Sequence, residues 1–129
     1  MAQGIIPFKA HAFVNAPANA NHLSDDTTDA ATLRADMDLS VSTVASFQLA
    51  WTGLTGTLNA TATIEVSDDP TPSPTGNWQA KSGATYTITT ASGSTDIALN
   101  LVLAEQWYRI NYQANGVTGG TIDARVFGK

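Results

Sequence analysis

From residue 38 onward, apolar and polar side chains alternate with a period of two, the pattern of strands with one face turned to a core. The clearest run is Thr57 to Val66. There Leu58, Ala60, Ala62, Ile64 and Val66 alternate with Thr57, Asn59, Thr61, Thr63 and Glu65. Upstream, Ala45, Phe47, Leu49 and Trp51 share one face of Thr43 to Trp51, which places Trp51 in the core. The connection Thr52-Gly53-Leu54-Thr55-Gly56 is short and contains glycine, so the two runs are expected to pair as a β-hairpin. A second hairpin is expected at the C-terminal end. Tyr108, Ile110 and Tyr112 line one side of Gln106 to Gln113, Asn115 to Gly120 turns, and Ile122, Ala124 and Val126 return. Between the hairpins lie Tyr86 and Ile88 in Ala84 to Thr89, then Ile97, Leu99, Leu101 and Leu103 in Thr95 to Leu103. Ser67 to Trp78 carries Pro70, Pro72 and Pro74, which cannot join a ladder, and reads as a loop. The expected fold is all-β: an antiparallel β-sandwich, jelly-roll-like or immunoglobulin-like, of about seven to eight strands.

Residues 1–37 do not share this period and read as an extended, irregular N-terminal arm ahead of a sandwich domain at 38–129. Asn15 to Asn21 is small and polar, and Asp25, Asp26, Asp29, Asp36 and Asp38 are accompanied only by Arg34. Asp25 to Met37 reads either as a plain loop or as a short helix capped by Ser24. A polar arm is ordered only when something holds it, so the segment is read as docked. Its apolar anchor is Ile5, Ile6, Pro7 and Phe8, which either crosses to a neighbouring subunit or folds back on its own domain. The same run is too short for a secretory signal and is broken by proline, and no apolar stretch approaches the ~18 residues of a membrane span.

Composition changes the picture in one respect. Charged residues make up 13% of the 129-residue chain, about half the usual share, while 18 Thr and 20 Ala fill the gap. That is a β-rich composition with outward faces adapted to contact. A net charge of −5 and a pI near 4.6 exclude the basic stripe of a phosphate-tracking nucleic-acid binder. With no cysteine, disulfides and thiolate zinc sites are excluded.

No constellation of residues points to catalysis, a cofactor or a metal. His11 and His22 lie in the arm, away from the expected sheets, and no nucleophile elbow accompanies them. They read as solvated or interface histidines. Asp68-Asp69 lacks the spacing of a calcium loop and reads as turn-forming acids, while Asp25, Asp26 and Asp29 read as a capping or solvated cluster. The aromatic residues offer the one ligand-binding alternative. Trp107 is out of phase with the core tyrosines and is expected to look outward with Arg109. Trp78, just after the proline loop, is expected either to cap the core edge or to stack on a ligand. Together they would make a small glycan-binding platform.

Several residues also carry a resemblance in their order along the chain. Phe47-Gln48-Leu49-Ala50-Trp51 is followed by Gly53 and Gly56-Thr57-Leu58, then by Glu65-Val66-Ser67-Asp68-Asp69 and Trp78. Trp107-Tyr108-Arg109-Ile110-Asn111-Tyr112, Gly119-Gly120-Thr121-Ile122 and Gly128-Lys129 complete the series. This order resembles the small β-sandwich virion proteins of tailed bacteriophages. Residues 38–129 carry the likeness, with departures at the Pro70–Pro74 insertion and in the arm. The resemblance implies a structural, non-enzymatic role in the virion. The expected role is a capsid decoration protein held on the head exterior by the major capsid protein or another virion protein, and assembled as a homo-oligomer, a trimer by preference. A tail or head–tail connector component is the alternative within the same class.

Overall fold

The computed structural model describes residues 8–23, 44–67, 77–102 and 107–128. Eight strands form: β1 (Phe8–Pro17), β2 (His22–Leu23), β3 (Val44–Gly56), β4 (Thr61–Ser67), β5 (Gln79–Thr87), β6 (Gly93–Val102), β7 (Trp107–Gln113) and β8 (Val117–Gly128). They lie in two antiparallel sheets, in the orders β1-β8-β3-β6 and β2-β7-β4-β5. The pairs are nested: β1 with β8, β2 with β7, β3 with β6 and β4 with β5. The chain thus behaves as one long hairpin ribbon. The further pairings β3–β8 and β4–β7 roll that ribbon into a sandwich. This is the eight-stranded jelly roll.

Alternation in the sequence becomes the core between the sheets. Phe47, Leu49 and Trp51 of β3 face the interior beside Val126, Ala124 and Ile122 of β8. On the second sheet Ala62, Ile64 and Val66 of β4 sit opposite Tyr112, Ile110 and Tyr108 of β7. Large residues face small ones in several of these pairs, which lets the two layers interdigitate at close packing. Phe47 and Tyr108 meet across the sandwich with ring centroids 6.1 Å apart. Trp51 is 3% exposed, as its phase predicts. Its ring packs 5.6 Å from Tyr86, and its indole nitrogen donates to the Thr90 carbonyl at 3.1 Å. Each such side chain contributes about 1.5–3 kcal/mol over an exposed one.

Neither expected hairpin forms. β3 and β4 lie in different sheets, and so do β7 and β8. Thr52 to Gly56 does not reverse the chain. It continues β3 alongside β8, with Thr52 opposite Thr121 and Gly56 opposite Val117. Leu54 is buried there, and its amide donates to the Ala91 carbonyl at 2.8 Å. The Asn115-Gly116 turn is present, with φ of 50° and 102° and a Val117 N to Ala114 O bond of 3.1 Å, the geometry of a type I′ turn. It carries the chain across the sandwich instead of closing a ladder. The consecutive strands that do pair are β4 and β5, joined through the proline-rich stretch, of which residues 68–76 lie outside the described residues. In a rolled ribbon, a glycine-rich corner between sheets and a tight hairpin turn carry the same local signal.

Within the expected arm, the described residues 8–23 form two strands joined by a corner, not irregular chain. Phe8–Pro17 is an edge strand paired with β8 of the same chain, and His22–Leu23 pairs with β7. His22, expected away from the sheets, stacks on Tyr112 with ring centroids 6.1 Å apart. His11 pairs in register with Arg125. Two register shifts in β1 and a left-handed Asn15 (φ 50°) break the period, which is why the strand leaves no alternating signature. The corner from Pro17 to His22 is tied down by its own bonds. Tyr112 Oη donates to the Ala18 carbonyl at 2.7 Å, Ala18 N to Gly120 O at 3.0 Å and Ala114 N to Asn21 Oδ1 at 2.9 Å. His22 Nε2 donates to the Pro17 carbonyl at 2.7 Å. Ile5, Ile6, Pro7, Asp25, Asp26, Asp29 and the possible helix at 25–37 lie outside the described residues.

Two predictions follow from this packing. Gly120 has φ of 100°, and a Cβ there would lie 2.8 Å from the carbonyl oxygens of Thr52 and Gly53. Gly120→Ala is expected to cost about 3 kcal/mol in urea denaturation. Burial raises Tyr112 from 10.0 to about 12. Its neutral phenol therefore contributes stability that is complete below pH 10.0 and is lost as pH rises through about 12. Alkaline unfolding monitored by circular dichroism is expected to lose that dependence in Tyr112→Phe, which at neutral pH costs about 1–2 kcal/mol for the orphaned Ala18 carbonyl.

Candidate functional site: a polar row on the second sheet

The strand period that buries Tyr108, Ile110 and Tyr112 turns Arg109, Asn111 and Gln113 to the outer face of the second sheet. β4 does the same with Thr61, Thr63 and Glu65, and the register sets Glu65 opposite Arg109, Thr63 opposite Asn111 and Thr61 opposite Gln113. Cross-strand neighbours on one face lie within contact, so the register itself builds a polar row.

The row is continuous. Arg109 Nε donates to Glu65 Oε1 at 2.6 Å, Asn111 Nδ2 to Glu65 Oε2 at 3.2 Å and Gln113 Nε2 to Asn111 Oδ1 at 2.6 Å. Beside it the hydroxyls of Thr63 and Thr85 are 3.1 Å apart. At the far end Asn115 Nδ2 donates to the Asn59 carbonyl at 3.2 Å. At the other end the guanidinium of Arg109 lies 4.4 Å from the centroid of the Trp78 ring. Arg109 is only 6% exposed, an unusual burial for arginine. Two things make it tolerable: the carboxylate answers the charge, and the indole face replaces part of the lost water.

This placement corrects one expectation. Arg109 does occupy the outer face, but it is covered, not looking into solvent. The Trp78 ring packs on that arginine. Trp107 pairs with Ser67 through the backbone, and its side chain lies outside the described residues. Phe8, from the expected anchor, lies on β1 of the other sheet, opposite Gly128.

Glu65, Asn111 and Gln113 were not singled out by the sequence. Their spacing of two along each strand was visible, but their partnership depends on β4 lying against β7, and the expected hairpins paired those strands elsewhere. Asp68 and Asp69 lie outside the described residues, and among the described residues no group of three His, Cys, Asp or Glu side chains could hold a metal ion.

Comparisons with known protein families, with curated proteins and with solved structures return no match. Both Glu65 oxygens accept bonds within the row, so the carboxylate serves to hold its neighbours in place. What the row offers outward is a fixed series of amide and hydroxyl groups beside an aromatic ring, with its two ionised groups cancelling each other.

Removing one partner of the ion pair leaves a largely buried charge unanswered, whereas removing both does not. Arg109→Leu is expected to destabilise by about 3 kcal/mol, and Glu65→Leu with Arg109→Leu by clearly less than the sum of the single changes. A double-mutant cycle in urea checks this.

Proposed function

We propose that this chain is a structural protein of a tailed-bacteriophage particle: a capsid decoration protein bound in many symmetric copies, as trimers, to the head exterior through the major capsid protein. The motifs that carry the resemblance support the reading by their position. They fall largely on β3, β4, β7 and β8, the central strands of the two sheets, so they belong to one folded unit. The low share of charged residues suits wide, wet contacts between symmetric copies.

The single observation that carries the proposal is the β1 edge. Among the described residues, the exposed large apolar side chain is Val14, at 40% exposure, and it lies on β1. The same edge strand begins at Phe8, directly after the apolar run Ile5-Ile6-Pro7. Val14 is an exposed apolar side chain on this edge, and the sequence leading into the strand is apolar; in this proposal a partner surface covers the edge. The mechanism is multivalent cementing. Each contact is modest, and symmetric repetition raises avidity without new contacts.

Quantitative mass spectrometry of purified particles tests the proposal. The expected copy number relative to the major capsid protein is a simple fraction set by capsid symmetry. A handful of copies per particle would move the protein to the tail or connector, and absence from particles would overturn the structural role altogether. Val14→Asp and deletion of residues 1–7 are each expected to weaken particle association while leaving the melting temperature of the free protein within about a degree or two.

A further inference from the structure

From the polar row we infer that the outer face of the second sheet binds a neutral oligosaccharide, with Trp78, Asn111, Gln113, Thr63 and Thr85 as the contacting groups. The inference goes beyond the virion role and does not depend on it, since it concerns the isolated protein.

Charge is the first argument. The ionised groups of the row, Arg109 and Glu65, are joined at 2.6 Å and answer each other's charge. A phosphate or nucleic-acid strand would need unanswered cations, and the row's one arginine is already committed. A protein partner is disfavoured on different grounds. Protein interfaces draw their energy from apolar and aromatic anchors buried at the centre, and this row is centred on amides and hydroxyls.

Geometry is the second argument. Arg109, Asn111 and Gln113 alternate along one strand, so the row extends about 13 Å at ~6.6 Å per two residues. That span matches two to three linked pyranose rings. Bonds within the row use one N–H of each amide. The other N–H, Gln113 Oε1 and the bonding capacity that the Thr63 and Thr85 hydroxyls keep beyond their mutual bond can pair with sugar hydroxyls, which both donate and accept. Trp78, held against the Arg109 guanidinium, supplies an aromatic ring at one end for the C–H face of a sugar.

Preorganisation is the third. Thr61, Thr63, Glu65, Asn111 and Gln113 are all half-buried, and hydrogen bonds fix the amides before any ligand arrives. Ordering long polar side chains is a principal cost of polar recognition, and here folding has already met it.

Nitrogen-edited NMR titration of the free protein with cellotriose, maltotriose and triacetylchitotriose tests the inference. At least one trisaccharide is expected to give saturable shifts at the Trp78 indole N–H and at the Asn111 and Gln113 side-chain amides, with millimolar affinity. Gln113→Ala and Thr85→Ala, both at the margin of the row, are expected to fold normally and to weaken binding about tenfold each. Absence of saturable shifts at those three side chains with all three sugars would overturn the inference. So would undiminished binding in both variants, or tighter binding of a sialylated trisaccharide than of its neutral counterpart. Copy number per particle is measured separately, so either reading can fail without the other.

Discussion

The pairing of β3 with β8 is the constraint on which the rest of the molecule depends. It runs from Ala45 opposite Gly128 to Gly56 opposite Val117, and it joins segments some sixty to eighty positions apart in the chain. Every other element is hung from it. β1 lies on the far side of β8 and β6 on the far side of β3, while Phe47 and Trp51 on its inner face meet Tyr108 and Tyr86 of the second sheet. Closing so distant a contact carries a loop-entropy cost that no local turn offsets. Folding is accordingly expected to be governed by when these two strands find each other, as in other β-rich topologies of high contact order.

The close approach at the end of this ladder explains the glycines there. Gly120 passes against the Thr52 and Gly53 carbonyls with no room for a side chain. Gly93 does the same beneath Trp51, where a Cβ would lie 2.9 Å from the indole ring. These residues reflect packing between segments remote in sequence, although each looks like a local turn signal when met along the chain.

That ambiguity marks what the sequence could and could not reveal. Inward-facing positions were legible wherever strands are regular: Phe47, Leu49, Trp51, Ala62, Ile64, Tyr108, Ile110 and Tyr112 were all read correctly from period two, and all are buried. Partnership was not legible, because alternation records which way a side chain points and not which strand lies beside it. The Gly53 and Gly56 corner was read as a reversal for that reason. β1 was missed because its bulges erase the period, and Ala16 and Ala18 are too small to announce that they are buried. At the candidate site Trp78 was noticed as displaced from the core pattern. That its partner is Arg109 is not legible, since the carboxylate that holds Arg109 in place comes from a strand 44 residues earlier.

Register irregularities are distributed unevenly. The central β4–β7 ladder runs from Thr61 to Ser67 without a shift, and β3–β8 is regular from Ala45 to Thr52. All four outermost strands are interrupted or brief: β1 and β6 each carry two shifts in their pairing, β5 carries one, and β2 has two residues. A straight outer strand is an open template on which any passing chain can add hydrogen bonds, and a kinked or truncated one is not. The sandwich therefore ends its sheets in a form that resists runaway strand-by-strand growth into aggregates.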